Sequence, residues 1–272
     1  MRIVVCVKQV PNPEIAASQY RVDEQARTVA PVAGVHWVMS PFDEQAVEAA
    51  LRIRDAQPGT RITVMSLGPE SARNVLKHGL AMGADEGVLL ADAAFAGSDG
   101  YTTALTLAAA IKKIGKVDLV LTGRQAADWD SGVVGAGIGE LLGVPVISFA
   151  KEVHVADGVA RVERVLDDGS EIVEACLPAV VTVSNELGTP RTPSLRETMR
   201  AARKPVAAWS RSDLGLAADT VGAAGARRVL ERMFIPVKQN RCEFITGGSP
   251  EEQAAGLAQR VREKSPFNPS AG

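Results

Sequence analysis

Cysteine is scarce in this chain, and long apolar runs are missing. The 272 residues contain 3 cysteines (Cys6, Cys176 and Cys242), which lie far apart and form no CxxC pair. Neither a disulfide framework nor a zinc site is therefore indicated. No apolar run approaches the roughly 20 residues that a membrane-spanning helix needs, and the opening MRIVVCVKQVP is too short and too strand-like for a signal peptide. We therefore expect a cytoplasmic protein without direct membrane insertion.

Neither sign of charge dominates. The formal net charge is −2, so no basic field favours nucleic acid as a partner. A hydrophobic content of 46% and a charged content of 23% are typical of a globular protein with a substantial core. The 3 histidines are scattered among unrelated segments, so we predict no catalytic triad and no metal site.

Strand-like and helix-like segments alternate along the first 150 residues. The predicted strands are residues 2–7, 61–67, 86–90, 117–121 and 145–149, with helical patterns between them. This order predicts an α/β fold with a parallel sheet and right-handed crossovers. After Lys151, short strands separated by Asp-Gly turns predict an added antiparallel meander.

Ser40-Pro41-Phe42-Asp43 has the pattern of a helix start. Serine is a preferred N-cap residue, proline fits the first helical position, and a carboxylate at the third position can reach back to the cap. We therefore predict a helix from this point to about Asp55.

Glycines recur after the strand predicted at 117–121, in a helix predicted to begin near Ser131. They are Gly132, Gly135, Gly137 and Gly139. Glycine costs a helix roughly 1 kcal/mol per site relative to alanine. Two explanations stay open: an unobstructed helix start that receives a phosphate, or close packing of the helix against the sheet. The spacing is not the dinucleotide-binding fingerprint and does not decide between them.

Several polar or glycine-rich turns follow the predicted strands. In open parallel sheets, ligands bind beyond the carboxyl ends of the strands where the strand order reverses. Residues 6–9, 66–68 and 123–135, with the helix start at 40–42, therefore predict a crevice of nucleotide size. Arg124 suits a phosphate or a negatively charged ring, or is simply solvated. Asp128 and Asp130 suit capping of the loop's own N–H groups or bonding to ribose hydroxyls.

Five motifs, in the same order, resemble the β subunits of electron transfer flavoproteins (the FixA family). A basic segment at 200–204 follows the last of these motifs, and the resemblance covers roughly residues 1–210. The motifs are SPFDEQAVE (40–48), LAMGAD (80–85), GRQAAD (123–128), LPAVVTV (177–183) and PRTPSL (190–195).

The resemblance implies a sheet of the adenine-nucleotide-binding, Rossmann-like type and a heterodimer with an α subunit that holds most of the electron-carrying FAD. It also implies one nucleotide in the crevice of the β subunit, either AMP or a second FAD. By motif position Cys6 lies under the adenine, and the loop after Gly123 wraps the phosphates. The cofactor-binding residues implied are Cys6, Ser40, Pro41, Phe42, Asp43, Ser66, Leu67, Gly68, Gly123, Arg124, Gln125, Ala126, Asp128, Asp130, Ser131, Gly132, Val133, Val134 and Gly135.

Departures from the AMP-binding pattern bear on which nucleotide is bound. Relatives that bind AMP have a polar Asn-Gln-Thr where this chain has Gly132-Val133-Val134, so a phosphate-binding hydroxyl is missing at Val134. Valine there, with arginine at Arg124, resembles the electron-bifurcating form, which holds a second FAD. Residues 40–48 resemble the AMP-binding form instead, although Ser40 replaces its asparagine. We predict FAD. Trp129 fits neither pattern and could stack on a ring or shield the loop.

A second predicted site docks redox partners. By resemblance, Leu195 is the apolar tip that anchors an acyl-CoA dehydrogenase, and Pro190, Arg191 and Arg196 flank it. The alternative is that Leu195 is a buried cap over the following helix. We predict a nucleotide-binding domain at 1–235, including a recognition loop at 184–204. A C-terminal arm at 236–272 is predicted to dock on the α subunit.

The resemblance implies electron carriage without catalytic residues on this chain. The heterodimer would accept electrons from dehydrogenases, such as acyl-CoA dehydrogenase, or from NADH. It would pass them to a quinone reductase or a ferredoxin-type acceptor, and electron bifurcation is one form of this activity. The alternative is an adenine-nucleotide-binding regulatory module without a redox role.

Overall fold

The computed structural model describes residues 1–16, 19–30, 34–236 and 242–264. The chain divides into two compact units, Met1–Met233 and Phe234–Gly272. The second unit contains the last helix, on which Arg260 and Lys264 each lie 2.8 Å from the carboxylate of Glu243. The part of the predicted arm at 237–241 and 265–272 lies outside the described residues, and docking of the arm on a partner stays a prediction.

Strands and helices alternate as predicted. The strands are β1 (Arg2–Cys6), β2 (Gln9–Pro11), β3 (Arg21–Asp23), β4 (Thr28–Ala30), β5 (Trp37–Met39), β6 (Arg61–Leu67), β7 (Glu86–Leu90), β8 (Leu119–Gly123), β9 (Val146–Ala156), β10 (Val159–Leu166), β11 (Gly169–Cys176), β12 (Ala179–Val183) and β13 (Val206–Trp209). The helices are α1 (Pro41–Ala56), α2 (Arg73–Met82), α3 (Gly100–Ile114), α4 (Val134–Leu142), α5 (Leu195–Arg203), α6 (Gly222–Gly225) and α7 (Pro250–Lys264). None of these helices is both long enough and apolar enough to cross a membrane.

Nine strands form the main sheet, in the order β11-β10-β9-β12-β8-β1-β6-β7-β13. Seven strands, β9-β12-β8-β1-β6-β7-β13, are paired parallel. The pairs β9-β10 and β10-β11 are antiparallel. The predicted α/β fold, a parallel sheet with an added antiparallel meander, is confirmed. The predicted strand at 145–149 is not separate from the meander, because β9 runs on to Ala156 and belongs to both parts.

Helices cover both faces of the parallel strands. Residues of α1 and α2 pack in one buried cluster, and residues of α3 and α4 pack in a second cluster on the opposite face. Strand β8 lies between these layers and is buried at all five positions, which explains its continuous apolar sequence. It begins two residues later than predicted, at Leu119, and the side chain of Asp118 just before it accepts a hydrogen bond from the Arg2 N–H.

The glycine-rich helix α4 begins at Val134, not near Ser131. A Cβ added at Gly139 would lie 2.0 Å from Val146 Cγ2, and one at Gly137 would lie 2.8 Å from Ala104 Cβ. At Gly135 an added Cβ would lie 2.5 Å from Thr182 Cγ2. Close packing therefore explains these three glycines, and only Gly132, with a φ of +63°, lies in the loop before the helix.

Candidate functional site

The strand order reverses at β1. After β1 the chain continues to β6 and β7 on one side, and it then crosses to β8 on the other side of β1. Because these strands are parallel, their carboxyl ends meet at one edge of the sheet, at Cys6, Leu67 and Gly123. A ligand crevice is expected at this reversal, and most of the predicted binding residues follow these strand ends.

Asp43 joins three of the crevice segments. Its Oδ2 accepts a hydrogen bond from the Lys8 N–H at 2.8 Å, and its Oδ1 accepts one from the Gly123 N–H at 3.0 Å. The predicted capping role of Asp43 is therefore wrong, since its carboxylate points to two strand ends instead of back to Ser40. Ser40 is the N-cap residue of α1 but makes no side-chain cap bond, and its Oγ accepts from the Ala127 N–H at 3.4 Å.

Burial determines the electrostatics below the crevice. It raises the pKa of the Asp43 carboxyl to about 7, against the opposing effect of the two backbone N–H donors. Burial also raises the pKa of the Cys6 thiol to about 12, with a smaller contribution from the neighbouring Asp43. Cys6 is therefore buried at the end of β1, in a setting that favours its neutral thiol over the thiolate.

Gly123 allows the helix start to approach the end of β8. A Cβ added at this position would lie 2.6 Å from Asp43 Oδ1 and 2.7 Å from Phe42 Cβ. Only glycine fits such a close backbone approach. The N-terminus of α1 and the end of β8 therefore form one continuous wall.

The loop after β8 closes over the strand ends through an ion pair. Lys8 Nζ lies 2.8 Å and 2.7 Å from the two carboxylate oxygens of Asp128. Asp128 therefore pairs with Lys8 instead of capping the loop's own N–H groups, and its bonding to ribose hydroxyls stays a prediction. Sequence reasoning did not single out Lys8. Asp130 Oδ1 accepts a hydrogen bond from Gln125 Nε2 at 2.9 Å. Trp129, between the two aspartates, is 56% exposed.

Two buried polar atoms at this edge have no hydrogen-bond partner within the described residues: Ser66 Oγ, at the end of β6, and Arg124 Nε, just after β8. Buried polar groups are nearly always satisfied, so each unpaired one calls for an explanation such as a ligand. A nucleotide offers ring nitrogens, hydroxyls and phosphate oxygens that could pair with such atoms. The residues present therefore fit a nucleotide.

The other predicted binding residues lie around these groups at varying depth. Leu67, the last residue of β6, and Gly68 just after it are half-buried, and Pro41 is exposed at the start of α1. Ser131, Gly132 and Val133 are exposed in the loop before α4, Val134 and Ala126 are half-buried, and Gly135 is buried. The structure thus brings both predicted sides of the crevice to one edge of the sheet.

The second predicted site lies at the start of α5. Leu195 is 78% exposed, so the alternative of a buried cap is wrong. Ser194 and Glu197 form a reciprocal capping box that fixes the first turn. Arg196 is exposed beside Leu195, and Pro190 is half-buried in the preceding loop.

Arg191 holds the predicted recognition loop on α1. Its Nε lies 2.8 Å from Glu48 Oε2, and its Nη2 lies 2.8 Å from Asp55 Oδ2. Burial by itself would raise the pKa of Glu48, but hydrogen bonds from Arg191 and Arg52 outweigh burial and hold this pKa below its ordinary value. The structure therefore gives Arg191 an intramolecular partner, and a direct role in docking stays a prediction.

Lys77 anchors the other end of α5, and sequence reasoning did not identify it. Its ammonium group on α2 donates to the carbonyl oxygens of Ala201, Ala202 and Lys204. A cation at a helix C-terminus satisfies free carbonyls and complements the helix dipole. With Arg191, it fixes the segment that presents Leu195.

No metal site is found among the described residues. The three cysteines are free, with Cys6 buried and Cys176 and Cys242 exposed. The fold thus defines an α/β protein whose sheet reverses its strand order at the edge where the predicted binding residues lie.

Comparison with known proteins identifies the family. The model of the electron transfer flavoprotein domain matches residues 29–214, more than half of the chain. The chain therefore belongs to the electron transfer flavoprotein family.

Relatives along the whole chain are β subunits and related proteins. The chain is 40% identical to the caffeyl-CoA reductase-Etf complex subunit CarD of Acetobacterium woodii, over 97% of this chain and 99% of that protein. It is 35% identical to the electron transfer flavoprotein subunit beta of Megasphaera elsdenii, over 97% of each. It is 34% identical to the protein FixA of Azorhizobium caulinodans, over 98% of this chain and 95% of that protein. The predicted β-subunit family and its role in electron transfer are confirmed.

Proposed function

We propose that this chain is the β subunit of a heterodimeric electron transfer flavoprotein. It pairs with an α subunit that holds the electron-carrying FAD, accepts electrons from dehydrogenases or NADH, and passes them to a quinone reductase or a ferredoxin-type acceptor. The observation that carries the proposal is the similarity to β subunits along the whole chain. The three relatives named above give no support to the alternative of a regulatory module.

The crevice beyond β1, β6 and β8 binds an adenine nucleotide in this proposal. Asp43 and Gly123 fix the wall, the buried Ser66 hydroxyl is available to the base, and Arg124 is available to the phosphates. A bound FAD would supply one- and two-electron transfer. The chain's own contribution is to bind and orient the nucleotide.

We infer that the nucleotide in the crevice is a second FAD. Val133 and Val134 offer no hydroxyl where α4 begins, so phosphate binding there depends on backbone N–H groups and Arg124. This pattern supports the bifurcating form of the activity. AMP is the alternative occupant.

Leu195 and Arg196 dock the redox partner in this proposal. The exposed leucine would enter an apolar pocket of the partner, and the basic residues of α5 would favour an acidic surface and speed the encounter. The relative from Acetobacterium woodii is named as a subunit of a caffeyl-CoA reductase complex. That name supports a CoA-thioester dehydrogenase as one partner of this chain.

Co-expression with the α subunit tests the electron-transfer proposal. We expect a stable, yellow complex whose flavin is reduced by an acyl-CoA dehydrogenase or by NADH and is reoxidised by an added acceptor. A stable complex of the two chains that contains no FAD would contradict it. So would a flavin that no donor of either class reduces.

A further inference from the structure

Phe149 has a backbone conformation that is rare for its residue type. Its φ is +60°, in the left-handed region that a bulky side chain seldom adopts. The residue is 41% exposed, so full burial does not explain why a phenylalanine is held there. Strained residues of this kind cluster at functional sites.

A β-bulge produces this conformation. Val181 of β12 pairs with Ile147 of β9, but Val183 pairs with Ala150, so two residues of β9 lie opposite Thr182. The Phe149 N–H donates to Thr182 Oγ1 at 3.1 Å. Bulges re-aim a side chain, often next to active sites.

The bulge directs the ring of Phe149 towards Arg124. The guanidinium carbon lies 5.9 Å from the centroid of Phe149 and 5.0 Å from the centroid of Phe42, within cation–π range of both rings. Nη1 of Arg124 also donates to Ser184 Oγ at 3.2 Å, while the buried Nε has no partner within the described part of the chain. Two rings and one hydroxyl thus contact the cation, and the nearby carboxylate of Glu186 attracts it.

We propose that Phe149 is a positioning residue of the nucleotide site, held in a strained bulge so that its ring keeps the Arg124 guanidinium in place for the nucleotide phosphate. The proposal rests on the proposed function, because it requires a phosphate-bearing ligand in the crevice. It goes beyond that function by assigning a role to β9, which contributes no predicted binding residue.

The charge and the geometry favour this role over simple packing. A cation next to a ring face is stabilised without a further carboxylate beyond Glu186, which attracts Arg124 and accepts a hydrogen bond from Ser184 Oγ. A hydrogen bond from the charged guanidinium of Arg124 to a phosphate oxygen is then stronger than one between neutral groups. A purely apolar contact would need neither the aromatic ring nor the left-handed backbone.

Three substitutions of Phe149 separate the possible roles, each tested in the complex with the α subunit after removal of the crevice nucleotide. We expect Phe149→Tyr to bind the probes AMP or FAD as the wild type does. Phe149→Leu keeps an apolar side chain, and Phe149→Gly relaxes the backbone, but both lose the ring. We expect each of these two to bind the wild type's preferred probe about three- to tenfold more weakly. We expect Phe149→Gly to be no less thermally stable than Phe149→Leu, because glycine adopts this backbone without strain.

A double-mutant cycle tests whether Phe149 acts through Arg124. In an Arg124→Gln background, Phe149→Leu is expected to cause no further loss of affinity. The matched control is Asp157→Gly, at another left-handed position (φ of +50°) in the turn between β9 and β10, which should leave probe affinity unchanged.

Two results would overturn the role of Phe149 but leave the nucleotide site standing. One is wild-type affinity in Phe149→Leu; the other is an equal loss of affinity for Phe149→Leu with and without Arg124. If the stripped wild-type complex binds neither AMP nor FAD, the nucleotide site itself is refuted and the role of Phe149 with it. If the wild type binds a probe and only the Phe149 result fails, the proposed function stands.

Discussion

Replacing Asp43 by asparagine tests the electrostatics below the crevice. In the folded chain the Asp43 pKa is raised to about 7 from an ordinary value of 3.8, chiefly by burial. The folded state therefore binds this proton more tightly than the unfolded state does. The contribution of Asp43 to stability is fully present below about pH 4 and is lost as the pH rises through about 7.

The size of the effect follows from the two pKa values. Each pKa unit corresponds to about 1.4 kcal/mol, so the total loss at high pH approaches about 4 kcal/mol. Between about pH 5 and pH 8 the free energy of unfolding should fall by about 2 to 3 kcal/mol because of Asp43 alone. Asparagine cannot ionise, so Asp43→Asn should lack this part of the pH dependence. It leaves one of two backbone N–H donors without an acceptor, a cost of about 1 to 3 kcal/mol that does not vary with pH.

Urea unfolding monitored by tryptophan fluorescence at several pH values measures this difference. Asp219→Asn is the matched control, because Asp219 is exposed in a short turn and this variant should follow the wild type. Parallel stability curves for wild type and Asp43→Asn across this range would refute the reasoning. That result would mean that Asp43 is ionised in the folded chain at no greater cost than in the unfolded one.

Three further substitutions test packing and docking. Gly139→Ala should lower the free energy of unfolding by about 1 to 3 kcal/mol, because its Cβ would lie 2.0 Å from a methyl carbon of Val146; wild-type stability in urea would contradict close packing at α4. Arg191→Met should cost about 1 to 3 kcal/mol by leaving the buried Glu48 with one cation fewer, and a thermal midpoint equal to that of the wild type would exclude this role. Leu195→Ala should raise the KM of a partner dehydrogenase for the heterodimer at least tenfold without changing flavin content; an unchanged KM would remove Leu195 from the docking site.

Local patterns predicted the regular elements well. Asp99, a residue type that favours the N-cap position, precedes a helical pattern and forms a capping box with Thr102 at the start of α3. The strands at 61–67 and 86–90 have the predicted bounds, because alternation and turn residues within a few positions determine them. Parallel order followed from the alternation of strands and helices.

Contacts between distant segments were not predictable in this way. Asp43 has the local pattern of a capping residue, yet it bonds to Gly123, 80 positions away in the chain. Glu48 and Arg191 pair across 143 positions. The bulge at Phe149 arises from the register of β9 against β12 and leaves no mark in the local sequence. Side-chain contacts at the predicted crevice therefore needed the three-dimensional arrangement, whereas the meeting of the strand ends at one edge followed from the parallel order.

The nucleotides released from the purified heterodimer test the central claim most directly. Mild denaturation and chromatography of the complex would give the amounts of FAD and AMP per heterodimer. The account predicts two FAD and no AMP, with the second FAD in the crevice formed by Asp43, Gly123 and Arg124. One FAD with one AMP would contradict the assignment of FAD and identify a single-flavin carrier. One FAD with no second nucleotide would contradict the crevice itself.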